Sequence, residues 1–259
     1  MRCGRPARDP LGHNAVDMCG RFALYTPPAR LARYFEAAVP ESTEPAFQAS
    51  WNVAPTDLVL GVRDRPPAAD APAGTGPERL LMTFRWGLVP WWAKDPGTGS
   101  RLFNARCETV ATKASFRDAF RARRIIVPAD GFYEWHLEKT GRKQPHYFTR
   151  ADGAPLAFAG LAERWREKEA APGTPYLRSC TVITAPAGAD MEGIHDRMPV
   201  VLDPATFDLW LDPANEDTEE LRGLLRPPPA GTIVHHRVEA RVGSVRNNDP
   251  GLIEATEPG

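Results

Sequence analysis

The sequence predicts an α+β fold, a single domain built on a mixed or antiparallel, barrel-like β-sheet core with short peripheral helices. Three observations predict it. Short apolar or alternating runs recur between turn signals, helical patterns are few and brief, and no stretch reads as a linker that would divide the chain. At 259 residues and 42% hydrophobic content, the chain is long enough for one large domain with a sizeable core. It contains no internal repeat.

Residues 1–17 hold Arg, Pro, Asp and Gly without an apolar period and are expected to be a disordered leader, with the domain spanning 18–259. A strand from Gly20 to Tyr25 leads into TPPARLARYFEA. There Thr26 is placed to cap, the prolines suit a first turn, and Leu31, Tyr34 and Phe35 form an apolar stripe. DLVLGV and RLLMTFRWGLV read as strands on either side of RDRPPAADAPAGTGPE, which is too polar and broken to pack and is expected to be a surface loop. SFRDAFRARR sets Phe116 and Phe120 four apart, as a short helix requires. RIIVPADGFYEW reads as two strands about a turn at Asp130-Gly131, and QPHYFTR, PLAFAGL and RSCTVITAP continue the series. Asp203 caps the helical PATFDLWL, DTEELRGLL gives another helix, and TIVHHRV a last strand.

Composition narrows the function. The formal net charge is -1, so bulk electrostatics do not advertise a nucleic-acid partner. One local run does: between Arg101 and Arg124 seven basic side chains face two acidic ones. No stretch of about 18 apolar residues is present, and the first residues lack a secretory apolar centre, so the expectation is a cytoplasmic protein with no membrane partner. The four cysteines are scattered without a C-x-x-C pair and read as thiols.

Four islands embed polar groups among aromatics and turn residues: MCGRF, FNARCET, ADGFYEW and IHDRMPV. The triplet Cys-Gly-Arg occurs twice. Arg2 separates Cys3 from the first methionine, whereas Cys19 directly follows Met18. If the chain began at Cys19, one residue would carry a thiol of pKa about 8.5 and an α-amine of about 7.7–8.0. The amine of such a 1,2-aminothiol condenses with an aldehyde to an imine, and the thiol then closes a five-membered thiazolidine. An internal cysteine cannot do this.

Strand alternation puts Phe132 and Glu134 on one face and Tyr133 and Trp135 on the other. A carboxylate on an aromatic face is expected to have a raised pKa, which suits proton transfer near neutrality. His195 titrates in the range for acid or base work, beside Asp196 and Arg197. Asn104 and Arg106, two apart, share one strand face, where an amide orients a nucleophile and an arginine holds phosphate. WGLVPWW adds Trp86, Trp91 and Trp92. Tryptophans are most often core, but Trp91 and Trp92 after Pro90 are placed on a loop able to stack bases. No local spacing supports a metal at Cys19, Glu134 and His195, and no cofactor is expected.

Together and in this order, MCGRF, WNVAPT, WGLVPWWAKD, FNARCETVATKASFRDAF, PADGFYEW, VITAPA, HDRMPVVL and RVGSVRNN resemble the SOS response-associated peptidase family. The resemblance implies a mature chain that begins at Cys19 and crosslinks to the ring-opened aldehyde of an abasic site in single-stranded DNA. By position, Asn104 would orient the Cys19 amine, Glu134 would move protons in crosslink formation and reversal, and His195 would act as acid or base on the opened sugar. Arg21, Asn52, Arg106, Thr184 and Arg197 match positions that hold DNA backbone, and Pro55, Trp91 and Trp92 those that shape the gap beside the lesion. The basic run from Arg101 would belong to the phosphate groove. The family also implies removal of its own leader by peptidase action, β-elimination as a side activity, and a monomer that is nucleoid-associated when bound to DNA. The leader before Met18 and the Pro- and Ala-rich loop depart from the family pattern. Two other readings stay open: a cysteine autopeptidase with His195 or Glu134 as base, and a non-covalent single-stranded DNA module.

Overall fold

The run Arg124-Ile-Ile-Val-Pro-Ala is apolar at nearly every position and too short for a helix, and it forms a strand buried on both faces. That pattern recurs through the computed structural model, which describes residues 20–43, 46–72 and 74–256. In chain order the strands are β1 (Phe22–Leu24), β2 (Ser50–Val53), β3 (Leu58–Arg65), β4 (Glu78–Trp86), β5 (Asn104–Arg106) and β6 (Arg124–Ala129). Then follow β7 (Gly131–Leu137), β8 (Lys143–Arg150), β9 (Leu156–Trp165), β10 (Leu177–Pro186), β11 (Arg197–Pro199) and β12 (Ile233–Arg237). The helices are short: α1 (Pro28–Phe35), α2 (Arg117–Ala122), α3 (Phe207–Leu211) and α4 (Thr218–Gly223).

The strands form two sheets. One is antiparallel throughout, in the order β12-β8-β7-β1-β2. The other runs β11-β10-β4-β3-β6-β9, and β9 pairs back onto β10, so five strands close into a ring. The barrel-like expectation is met by this ring, with the antiparallel sheet packed on it. Phe22 of β1 and Phe132 of β7 each set their rings edge-on to Phe158 of β9 at 6.0 Å, which joins the layers through the main core. The opposite face of the antiparallel sheet buries Tyr133 and Tyr147 under Val238, Val242 and Leu252 of the C-terminal segment. Gly131 lies beneath Tyr147, where a Cβ would come within 2.3 Å of the Tyr147 ring.

One strand has a special position. The first half of β10 pairs with β4 on one edge and β9 on the other; its second half pairs with β5 and β11 instead. The ring therefore opens at the Pro186 end of β10, and β5 and β11 line the opening. Both are three residues long, too short to show a period, and the sequence pattern for β2 and β11 was correspondingly silent.

The helix starts correct one expectation. Thr26 does not cap α1: the N-cap is Pro27, without a side-chain bond, and the Thr26 hydroxyl donates to the Asp130 carboxylate. Asp130 also accepts the backbone N–H groups of Tyr25 at 2.6 Å and Thr26 at 2.8 Å, so a carboxylate of the β6–β7 turn orients the chain entering α1. Asp203 and Asp217 cap as expected, the former on a 3-10 turn that precedes α3. The expected leader, 1–17, lies outside the described residues.

Candidate functional site

β1 is apolar throughout, so it can lie between two neighbours and be buried on both faces. On one side it pairs antiparallel with β7, Phe22 opposite Phe132 and Ala23 opposite Gly131, and the Tyr133 N–H donates to the Arg21 carbonyl at 3.0 Å. Continued by two residues, that register sets Gly20 opposite Glu134. On another side, a Cβ on Gly20 would meet the Phe103 ring at 3.9 Å, and Asn104 follows directly. The chain thus enters β1 between Glu134 and the start of β5. Trp86 holds this arrangement: its ring packs on Phe22 at 4.9 Å and Phe103 at 5.8 Å, and its indole N–H donates to the Phe103 carbonyl at 2.9 Å. Glu134 is buried, 3% exposed, on the face it shares with Phe132, as alternation predicts. Cys19, bonded to Gly20, lies outside the described residues.

At the opening of the ring, Arg106 stands opposite Thr184 in register, and Arg197 is opposite Pro186. The Arg197 guanidinium donates to the Thr184 carbonyl at 2.8 Å and hydroxyl at 3.1 Å, and forks onto Glu108 at 2.6 and 3.1 Å. Burial pushes the Glu108 carboxyl upward, and the hydrogen bonds from Arg197 and the backbone more than offset this, leaving it below the ordinary carboxylate range. Burial likewise pushes Arg197 down, and Glu108 raises it above its usual value. His195 Nδ1 lies 3.1 Å from the Arg197 backbone nitrogen, 3.2 Å from the Arg197 carbonyl and 3.2 Å from Asp196 Oδ1, so these contacts orient the ring. His195 precedes β11 of one sheet, and Glu134 lies in β7 of the other.

Arg21 and Asn52 are brought together, and both grip the C-terminal segment. Arg21 donates to the Asn52 side-chain oxygen at 2.9 Å and the Val242 carbonyl at 3.0 Å. The Asn52 amide donates to the carbonyls of Val242, Ser244 and Asn247. Asn52 is 3% exposed, so its amide is committed to holding chain, whereas Arg106 is exposed.

Pro55 occupies a tight turn between β2 and β3. Proline at its second position and φ of +83° at Thr56 match a type II turn, and the Asp57 N–H donates back to Ala54 O at 3.1 Å. Trp91 and Trp92 are 60% and 45% exposed on a turn after Pro90, so they are not core. That turn is anchored where Val89 N–H donates to Ser179 Oγ and Trp165 Nε1 donates to Ala93 O. It therefore lies toward the first half of β10, apart from the Thr184 end.

The basic run from Arg101 to Arg124 does not form one groove. Arg124 is buried and donates to carbonyls that include those of Trp210, Phe120 and Asn215, Arg121 pairs with Glu216, and Arg123 pairs with Glu163. Arg101, Arg106, Lys113 and Arg117 are exposed, and of these Arg106 stands opposite Thr184 at the opening. Glu108 was missed from the sequence because its partner is 89 residues away, and no local spacing signals such a pair. Cys107 and Cys180 are buried, and burial pushes the Cys180 thiol up, away from nucleophilic reactivity. No group of three or more His, Cys, Asp or Glu placed to hold a metal occurs among the described residues, and none of their helices is long and apolar enough to cross a membrane.

The fold and site define a two-sheet α+β protein in which β1 enters beside Glu134 and Phe103 and the Arg197 island is tied to Glu108 and Thr184. The model of the SOS response associated peptidase (SRAP) family matches residues 18–245, and the chain belongs to that family. It is 38% identical over 240 residues to the abasic site processing protein YoqW of Bacillus subtilis (strain 168), covering 92% of this chain and 100% of that one. It is 34% identical over 252 residues to the abasic site processing protein YedK of Escherichia coli (strain K12), covering 92% and 99%. With the abasic site processing protein HMCES of Gallus gallus the figures are 33% over 280 residues, 93% and 79%. Among solved structures, a protein from Bacteroides thetaiotaomicron shares the fold with a TM-score of 0.77 at 21% identity, over 92% of this chain and 100% of that one. A protein from Bordetella bronchiseptica matches with a TM-score of 0.66 at 29% identity, over 85% and 100%.

Proposed function

We propose that the chain processes abasic sites in single-stranded DNA by forming a covalent thiazolidine through Cys19 as the first residue of the active protein. The observation that carries this reading is the entry of β1, where Gly20, the residue bonded to Cys19, sits between Glu134 and the Phe103–Asn104 segment. The relatives' shared designation as abasic site processing proteins supports it.

In the proposed reaction His195 donates a proton to the ring oxygen as the C1′–O bond to it breaks, and the C1′ hydroxyl gives its proton to water, exposing the C1′ aldehyde. Asn104 orients the Cys19 amine, and Glu134 accepts a proton from it as nitrogen adds to C1′. Glu134 returns that proton to the C1′ oxygen to give the carbinolamine, and then passes the remaining N–H proton to the hydroxyl as the C–O bond breaks, so one water leaves and an imine remains. The Cys19 Sγ then adds to C1′ as thiolate, and the imine π pair moves to nitrogen, which takes up a proton. The net change is amine plus thiol plus aldehyde giving thiazolidine and water, and reversal runs through the same imine. Arg106 and the Arg197–Thr184 pair serve the DNA backbone, the exposed tryptophans and Pro55 shape the gap, and the protein acts as a monomer. Strand cleavage by β-elimination from the imine, and removal of the residues before Cys19, belong to the same proposal.

The test mixes protein beginning at Cys19 with an oligonucleotide carrying one abasic site and measures intact mass after denaturation. The expected product is protein plus oligonucleotide minus one water. Absence of that adduct sinks the proposal, as does a heat-stable adduct in Cys19→Ser, which keeps the amine and cannot form the sulfur-containing ring. Adduct formation by a chain that retains residues 1–18 intact would also count against it, because an amide nitrogen cannot form the imine.

A further inference from the structure

The interior of the five-strand ring ends in arginines. A Cβ on Gly61 would approach Phe84 Cδ2 at 2.8 Å and Ile125 Cδ1 at 3.1 Å, and one on Gly160 would approach Ile125 Cγ1 at 3.2 Å, so these positions of β3 and β9 face inward. On the same strand faces follow Arg63, two residues beyond Gly61, and Arg164, four beyond Gly160. Arg178 of β10 stands directly opposite Arg164 in register. With Arg123 these side chains line a cavity of about 80 Å³ that also meets Phe84 and Ile125.

The nearby carboxylates are engaged. Glu163 accepts from Arg123 at 2.8 Å, and Asp64 accepts from Arg79 at 2.8 and 3.1 Å. Arg63 and Arg178 have no hydrogen bond or ion pair among the described residues, and Arg164 lies over the Tyr176 ring at 5.6 Å. Arg123 Nε is buried without a partner. Like charges directly opposite on neighbouring strands destabilise a sheet; Arg164 and Arg178 are exposed, whereas Arg63 is half-buried, where a guanidinium without a counter-ion is costly. Burial lowers the Arg63 pKa, and Arg164, Arg178, Arg65 and Arg123 lower it further, as expected for cations crowded around one point.

We propose that this cavity binds one phosphate-class oxyanion, held by the forks of Arg63, Arg164 and Arg178. Planar guanidinium groups match tetrahedral oxyanions with paired N–H donors. A water occupies about 30 Å³ of liquid, so a cavity of about 80 Å³ suits a single small anion. Six residues of β10 separate Arg178 from Thr184, roughly 20 Å of strand, so this site is distinct from the ring opening. Two sources supply the chemistry: free inorganic phosphate, or the terminal phosphate of a DNA end that passes the Trp91–Trp92 turn, which is anchored to the same half of β10 through Ser179.

The test measures Tm against inorganic phosphate at constant ionic strength, with chloride as the control salt. Phosphate in roughly tenfold excess over its Kd is expected to raise Tm by about 3 °C or more, and chloride is expected to leave it unchanged. Arg63→Gln and Arg178→Gln should abolish that rise without lowering Tm in chloride, since each relieves repulsion. Arg33→Gln, an exposed cation on α1, should keep it. An equal phosphate response in the double variant, or no response in the wild type at millimolar phosphate, overturns the proposal. To separate the sources, a 5′-phosphorylated oligonucleotide is titrated against its dephosphorylated twin. A phosphate-dependent gain lost in Arg178→Gln assigns the DNA end, and equal affinities beside a positive phosphate response assign the free anion.

Discussion

Thr56 carries a φ of +83°, a conformation that a β-branched residue rarely adopts, in the turn that also positions Pro55. Its N–H donates to the Trp86 carbonyl at 2.7 Å, so the strained turn is fastened to the tryptophan that packs Phe22 and Phe103. Replacing Thr56 by glycine should therefore stabilise the protein by about 1 kcal/mol, read as a Tm rise of about 2–4 °C. A fall in Tm would show that the threonine side chain makes up the strain. Glu108 is the second residue whose role is local and testable. Its folded pKa lies below the unfolded value of about 4.3, so its contribution is present above that pH and is lost as pH falls through the folded value. Glu108→Gln should cost about 1–3 kcal/mol at pH 7, and the deficit should shrink in acid. Arg197 would then be free of its fork, and binding to undamaged single-stranded DNA is the readout for its altered position.

At the scale of elements, the β7-β8-β12 half of the antiparallel sheet concentrates ionisable groups on one face. Glu134 stands opposite His146, and His146 Nδ1 meets His235 Nδ1 at 3.1 Å, with His136 of β7 and Arg237 of β12 beside them; Glu138, just past β7, pairs with Arg237, and His236 turns to the other face against Tyr147. Burial pushes His146 down to about 4, and the neighbouring histidines and Arg237 act in the same direction. The unfolded chain binds this proton below about 6.5 and the folded chain only near 4, so stability should fall as pH drops through that window, by roughly 1–3 kcal/mol. His146→Phe should flatten urea-unfolding stability between those two pH values; an unchanged acid limb would count against the assignment. Element types were legible where a period or a buried run existed, as in β3, β6, β9 and β10. They were illegible for β2 and β11, which hold four and three residues and owe their strand form to partners far along the chain.

For the whole molecule, the C-terminal segment closes the outer face of the antiparallel sheet, and the buried Asn52 amide holds it together with Arg21. Asn52 donates to three carbonyls of that segment, and Asn248 Oδ1 accepts the Trp51 N–H at 2.8 Å in return. Asn52→Ala should cost about 1–3 kcal/mol, since the part-buried bonds to Ser244 and Asn247 are lost at about 1 kcal/mol each and the Val242 carbonyl is left with Arg21 alone. Hydrogen exchange should show the amides of residues 238–253 loosening first, with the ring unaffected; uniform loosening would mean that the segment and the ring unfold as one unit.

The sequence by itself determined the fold class, most of the strands and the identity of the chemically promising islands. Those depend on patterns within a few residues, namely alternation, buried runs, caps and turn residues, and the local chain dictates them. It also made Cys19 distinct from Cys3, through the methionine before it. Only the tertiary structure decided which islands meet. Gly20 lies between Glu134 and Phe103 because β1 is inserted beside β7 and against Trp86, and the Arg197–Glu108 fork exists because β10 exchanges its partners halfway. The same holds for the basic residues: Arg101 to Arg124 looked like one patch in sequence. Folding buries Arg124 on backbone carbonyls and pairs Arg121 and Arg123, while Arg63, Arg164 and Arg178 gather from three separate strands. Charge acts through distance in space, and no spacing along the chain encodes that distance until the ring closes.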